Sequence, residues 1–365
     1  MRIGFVAEPY EEQNASGMGF VISELLKNML QQGSKHEFTV YSSKTVSKDF
    51  IPGKYKIVSI PRGFLKKWWW FFRMPYEIDV LLFAAPLLPL VPTRSIRSIV
   101  ICQELASQKI QPKGFVELAF VFVRDRILMP LCLRNAERII AASQATKKDL
   151  LEFYTLPTEK IVVIYDGYQD LSGYEVTKIA VDEKLKPYFF FAGKVKYRKN
   201  VHGIAQAFVD FKKRTGASVQ LVVAGDYGGE YYEDIMRSLR KGGVDTDVHF
   251  IGYTVGAKLY AYFKNALAVV FPSINEGFGM PIIEAMSIGT PVITSKISSM
   301  AEAAGDAAIL VDPFDVSDIS RAMERVYRDE HLRKDLIQKG YVRAKNFSWQ
   351  KATQEFLSVV EGYAT

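Results

Sequence analysis

An apolar run from Ala266 to Phe271 leads into a loop containing Glu276-Gly277-Phe278-Gly279, and Pro281 to Ser287 then has helical character. Strand, loop and helix N-terminus in that order make the repeating unit of an open parallel sheet. Such sheets bind ligands beyond the carboxyl ends of their strands, where free N–H groups at a helix start attract anions. Gly277 and Gly279 let a ligand approach the main chain with no side chain in between. The carboxylate of Glu276 is followed eight positions later by that of Glu284. On an ideal helix that spacing rises about 12 Å and returns to within roughly 80° of the same side, so both carboxylates can face one elongated ligand. The plainer reading makes Glu276 a helix cap and Glu284 a solvated helical residue, but it gives no use to the paired glycines.

Apolar strands alternate with helical stretches in both halves of the chain, as two parallel sheets require. With 365 residues the chain is long for one doubly wound domain and ample for two. Cys102 and Cys132 lie in apolar surroundings, which predicts core thiols in a reducing cytosol rather than a disulfide framework. The start, Met1 to Glu8, has the pattern of a first strand rather than a signal peptide, and no apolar run is long enough for a transmembrane helix.

The basic excess belongs mainly to the first half, where residues 1–170 hold 22 Lys and Arg against 17 Asp and Glu. Within it, Arg62 to Arg73 carries Trp68, Trp69 and Trp70 among four cations and no acid. That composition suits a peripheral contact with the interface of an anionic bilayer, and it also suits rings packed on the first sheet. Nucleic-acid binding is disfavoured, because the cations form no longer stripe and no reading motif is present.

Phe271-Pro272-Ser273, Glu276 to Pro281, Glu284-Ala285-Met286 and Gly289 to Ile293 together closely resemble the donor-binding signature of glycosyltransferase family 4. The likeness runs on through Ser298-Ser299, Glu302 and Gly305 to Pro313, and the mannosyltransferase-like branch is nearest. The resemblance implies the GT-B fold, an α/β plan of two Rossmann-like domains with parallel sheets facing a central cleft. The first would be an acceptor domain over residues 1–170, with a final helix of about 348–365 packing back on it. A linker at 171–186 would lead to the donor domain at 187–347.

The resemblance also implies retaining, metal-independent transfer of a hexose from a nucleotide sugar to a glycan or lipid-linked acceptor. GDP-mannose is the favoured donor and a UDP-hexose the next. After the strand Tyr188 to Ala192 come Gly193 and the basic cluster Lys194 to Lys199. Lys194 and Lys199 match the cations that face the leaving diphosphate, with Arg198 beside them, and fixed cations there would stabilise a departing dianion. Glu276 and the N–H groups of Phe278, Gly279 and Met280 would orient the donor sugar, and Glu284 would bind the ribose.

Asn14 to Phe20, with Gly17, resembles the family's first glycine-rich loop. Gln103-Glu104-Leu105 stands where many members have His-Asp-Leu, so Gln103 keeps a hydrogen-bonding side chain near the donor but loses a titratable one. Asp245-Thr246-Asp247 has the Asp-x-Asp form of a metal-binding pair in another glycosyltransferase architecture, but its glycine-containing setting fits a surface turn better. A sugar-nucleotide epimerase, a phosphorylase or a non-catalytic sugar- or lipid-binding protein are the alternatives to a cytoplasmic transferase peripheral to the membrane.

Overall fold

The structure, a computed structural model, describes residues 1–7, 17–43, 55–61, 63, 66, 77–86, 96–105, 121–171 and 181–362. The protein folds as two Rossmann-like α/β units. Met1–Gly167 with Ser348–Thr365 form the first, and Tyr168–Phe347 the second. The tryptophan run Trp68 to Trp70 lies outside the described residues.

Among the described residues, the first unit holds seven parallel strands: β1 (Arg2–Val6), β2 (Glu37–Ser42), β3 (Lys56–Ser59), β4 (Val80–Phe83), β5 (Arg97–Cys102), β6 (Arg138–Ala141) and β7 (Ile161–Val163). Their order across the sheet is β3-β2-β1-β4-β5-β6-β7. β4 is buried at every position and β1 at all but its first, as central strands covered on both faces must be. The carboxyl-terminal helix Trp349–Glu361 returns to this unit and is capped by Ser348, whose side chain accepts from the Lys351 N–H. Trp349 meets Phe20 edge to face, Arg97 donates to the Val360 carbonyl at 2.8 Å, and His36 pairs with Glu361 at 2.9 Å. Cys102 and Cys132 are both buried and unbridged, and burial pushes the Cys102 thiol up to about 12.

Among the described residues, the second unit holds six parallel strands: β8 (Tyr188–Ala192), β9 (Gln220–Ala224), β10 (Val248–Gly252), β11 (Ala268–Phe271), β12 (Val292–Ser295) and β13 (Ile309–Val311). Their order is β10-β9-β8-β11-β12-β13. β8 is almost wholly aromatic, with Tyr188, Phe189, Phe190 and Phe191 all fully buried. Phe190 meets Phe263 edge to face at 5.1 Å, and Phe191 stacks on Phe271 at 5.7 Å. Each such ring contributes about 2–3 kcal/mol of burial, which anchors β8 at the centre.

Strand order reverses once in each sheet. In the second, the chain builds outward from β8 through β9 and β10, then crosses back to pair β11 with β8 through Ala268↔Phe189 and Val269↔Phe190. The loops after β8 and β11 therefore diverge from neighbouring strands, which opens a crevice at their carboxyl ends.

One expected boundary shifts. Gly17 is the first described residue of the helix Gly17–Gln32, where a loop residue was expected. β6 ends at Ala141, and Ser143 accepts from the Thr146 N–H to start the helix Gln144–Phe153.

Candidate functional site

The loops after β8 and β11 meet at Glu276. This carboxylate is buried, and Lys199 Nζ lies 2.6 Å from its Oε1 while Arg198 Nη1 donates to its Oε2 at 3.2 Å. Arg198 Nη1 also reaches the Asn275 carbonyl at 3.2 Å, and Lys199 Nζ sits 5.0 Å over the Phe271 ring. A buried carboxylate needs such partners, because leaving it unpaired would cost several kcal/mol.

Asn200 fixes the cations in place. It adopts a left-handed conformation, φ 57°, between the turn Tyr197–Lys199 and the helix Val201–Thr215. Its amide donates to the carbonyls of Pro272 and Pro313 at 3.1 and 2.6 Å, which ties the β8 loop to the ends of β11 and β13. The Ile274 N–H adds a bond to the Arg198 carbonyl at 2.8 Å. On the other side, Ser299 Oγ donates to the Glu276 carbonyl at 2.9 Å and Ser298 Oγ to Asn275 Oδ1 at 3.2 Å. The loop is thus held from both flanks before any ligand arrives.

Gly277, Phe278 and Gly279 complete the turn into the helix Met280–Ser287. Gly279 caps that helix at φ 104°, a conformation a side chain would strain. Phe278 is a core residue packed edge to face on Phe347 at 5.1 Å, so only its main chain is available to a ligand. The helix then carries Glu284, which is buried and accepts from the Gln169 N–H; burial, the larger influence, pushes its carboxyl up to about 7.

Lys194 stands apart from this cluster. Its side chain is 56% exposed and lies 3.5 Å from Asp226. Beside it, the main chains after β8 and β9 approach so closely that a Cβ on Gly225 would fall 2.0 Å from the Gly193 carbonyl oxygen. The structure therefore brings Lys199, Arg198 and Glu276 together and directs Lys194 to Asp226. Asp245–Asp247 is a short helical turn, with Asp247 paired to Lys212 at 2.8 Å.

In the first unit, Gln103 follows β5 and its Nε2 donates to Asp166 Oδ1 at 3.2 Å, while its carbonyl accepts from Thr146 Oγ1 at 3.1 Å. Burial pushes the Asp166 carboxyl up to about 7 against the opposing effect of Gln103. Sequence reasoning assigned no role to Asp166, Asn200 or Gln169. The turn-forming pair Asp166-Gly167 and an asparagine ahead of a helix were the available signals.

Residues 177–343 match the family model described as Glycosyl transferases group 1. Among curated relatives, O-antigen chain mannosyltransferase B of Escherichia coli is 29% identical over 233 residues, covering 62% of this chain and 61% of that protein. The aligned stretch thus spans about six-tenths of that relative's length. Among solved structures, sucrose-phosphate synthase from Thermosynechococcus elongatus aligns with TM-score 0.79 at 16% identity, over 99% of this chain and 98% of that one. Anabaena Alr3699/HepE in complex with UDP and glucose aligns with TM-score 0.77 at 15% identity, over 99% and 100%. The fold is shared with these two proteins over 99% of this chain, and residues 177–343 are similar in sequence to the group 1 glycosyl transferases.

Proposed function

We propose that the protein is a retaining, metal-independent glycosyltransferase that moves a hexose, mannose before others, from a nucleotide sugar to a glycan or lipid-linked acceptor. The product would belong to cell-surface polysaccharide or glycolipid. The observation that carries this reading is the buried Glu276 held by Lys199 and Arg198 where the second sheet reverses its strand order.

Cleaving the bond from the sugar C1 to a nucleoside diphosphate concentrates negative charge on the departing oxygens. Lys199 and Arg198, already fixed, can turn part of their field from Glu276 to that charge with little reorganisation, which favours the transition state over the bound substrate. Two fixed cations can fill the charge-neutralising role that a divalent metal takes in other transferases. Glu276 and the main-chain N–H groups of Phe278 to Met280 would orient the sugar, and ionised Glu284 would accept from the ribose hydroxyls. The acceptor oxygen would attack C1 on the face from which the diphosphate leaves and pass its proton to a departing phosphate oxygen. No side chain then needs to serve as a covalent nucleophile.

GDP-mannose is the favoured donor because the curated relative is a mannosyltransferase, and a UDP-hexose comes next because Alr3699/HepE is solved with UDP and glucose. Among the described residues no helix is long and apolar enough to cross a membrane. Peripheral contact through Arg62 to Arg73, on the cytoplasmic side, completes the proposal on compositional grounds.

The direct test supplies GDP-mannose or UDP-glucose with a lipid-linked acceptor and follows release of the nucleoside diphosphate. Release that requires acceptor supports transfer. Donor conversion without any acceptor would identify an epimerase, and binding without turnover in either case would identify a sugar-binding protein.

A further inference from the structure

Among the described residues, two other than glycine hold a left-handed backbone: Asn200 at φ 57° and Ser298 at φ 56°. Asparagine enters that region readily, whereas serine does so at a cost. Residues of this kind persist where the surrounding structure over-determines them, and they gather at functional sites. These two lie one on each flank of the Glu276 loop. Asn200 donates to the Pro272 carbonyl ahead of it, and Ser298, which opens the helix Ser298–Ala304 after β12, reaches Asn275 within it.

A serine at a helix start usually spends its hydroxyl on the N–H groups of its own helix. That of Ser298 turns to the loop instead. Its Oγ lies 3.2 Å from Asn275 Oδ1, 3.3 Å from the Glu276 carbonyl and 3.5 Å from the Glu276 nitrogen. One hydroxyl has one proton, and Ser299 Oγ already donates to the Glu276 carbonyl at 2.9 Å. The Ser298 proton is therefore left to Asn275, and a lone pair to the Glu276 N–H. The peptide joining Asn275 to Glu276 is then held at both ends, since Arg198 Nη1 donates to the Asn275 carbonyl at 3.2 Å. Ser299 and Met300 are fully buried, which pins the helix start while Ser298 is half-buried. Glycine would take the same backbone without strain. What serine adds is its hydroxyl, and among the described residues that hydroxyl bonds only to Asn275 and Glu276.

We infer that Ser298 is a positioning residue for Glu276: a strained backbone holds its hydroxyl against the Asn275–Glu276 peptide and so fixes the loop that meets the sugar nucleotide. Its effect on turnover rests on the transferase reading, whereas its effect on the loop does not.

The test compares substitutions at this one position in the full chain, by thermal melt, by amide hydrogen exchange over residues 274–280, and by turnover of GDP-mannose or UDP-glucose with a lipid-linked acceptor. Ser298→Gly removes strain and hydroxyl together. Its Tm should equal the parent's or exceed it by up to about 3 °C. Exchange in the loop should nevertheless quicken severalfold, and kcat should fall about tenfold with donor KM within about twofold, as for a misplaced group whose effect is greatest in the transition state. Ser298→Thr keeps the hydroxyl but puts a β-branched residue in the left-handed region. It should melt below Ser298→Gly and yet turn over faster, an order that a merely structural role would reverse. If the threonine variant does not fold, Ser298→Ala takes its place: strained and without a hydroxyl, it should melt below Ser298→Gly at the same kcat. Parent-like kcat in Ser298→Gly, or turnover that follows Tm across the variants, would overturn the inference while leaving the transferase reading intact. A parent that turns over neither nucleotide sugar would instead sink the transferase reading. Exchange then decides the positioning role alone, and a rate over 274–280 unchanged in Ser298→Gly would overturn it.

Discussion

The carboxyl ends of the two sheets handle buried acids in opposite ways. In the second unit, Glu276 is gripped by a lysine and an arginine. In the first, Asp166 has the neutral amide of Gln103 and is pushed up to about 7 by burial. A carboxylate with cations beside it is compensated within the protein, whereas one with only a neutral donor stores a charging cost that pH can reveal. The second unit itself contains both situations, since Glu284, one helix turn and a loop away from Glu276, accepts from the neutral Gln169 N–H and is likewise raised to about 7.

The largest effect expected from this contrast is on stability. A folded-state pKa of about 7 for Asp166, against an ordinary 3.8, means that the native state binds its proton more tightly than the unfolded chain. The associated stability is fully present below about pH 4 and is lost as pH rises through 7. Integrated over that window it amounts to on the order of 4 kcal/mol. Asp166→Asn should therefore flatten much of the fall in Tm between about pH 4 and pH 7, leaving the share of Glu284. A parent protein whose Tm does not fall over this range would break the comparison.

On the proposed chemistry, Lys199→Ala should lower kcat by about 10²–10³, the scale of removing one fixed group that meets transition-state charge. The Glu276 carboxylate keeps Arg198, so the variant should remain folded in a thermal melt. Near-normal turnover would remove the cation cluster from catalysis. Asn200→Ala comes next, with a loss of about 2–3 kcal/mol measured by urea unfolding, because two carbonyls lose their donor and a left-handed residue loses a side chain suited to it. Asn200→Gly should recover only the conformational part.

A smaller effect is expected at Glu284. If its carboxylate accepts from ribose hydroxyls, donor affinity measured by calorimetry should rise as pH passes upward through about 7. Glu284→Gln should weaken binding by about tenfold at pH 8 and abolish that pH dependence. A pH-independent parent would dissociate Glu284 from the ribose.

The sheets were largely legible because parallel strands buried on both faces are written as short apolar runs, as in Phe189 to Phe191 and Val269 to Phe271. The turn at Gly277 and Gly279 was legible through its glycines. Contacts between distant segments were not. Asn200 acts on Pro272 and Pro313, and Gln103 on Asp166, through pairings that sheet order creates and no local spacing encodes. The two raised carboxyls were hidden for the same reason, since burial depends on what other segments cover them.

Lys194 provides the finest test of how far the resting arrangement describes the working one. By resemblance it faces the diphosphate with Lys199, although Lys199 is the firmer match; it pairs at 3.5 Å with Asp226, and both side chains are more than half exposed. An ion pair so open to water contributes close to nothing to stability, so Lys194→Ala should leave Tm within about a degree of the parent. Its field at a diphosphate beside Glu276 would also be screened, and kcat should fall less than about tenfold, far less than for Lys199→Ala. Equal losses for the two variants would mean that the loop after Gly193 swings toward the donor on binding. Asp226→Ala would then separate the cases: freeing Lys194 from its partner should raise kcat/KM if the loop must move and leave it unchanged if Lys194 remains a bystander.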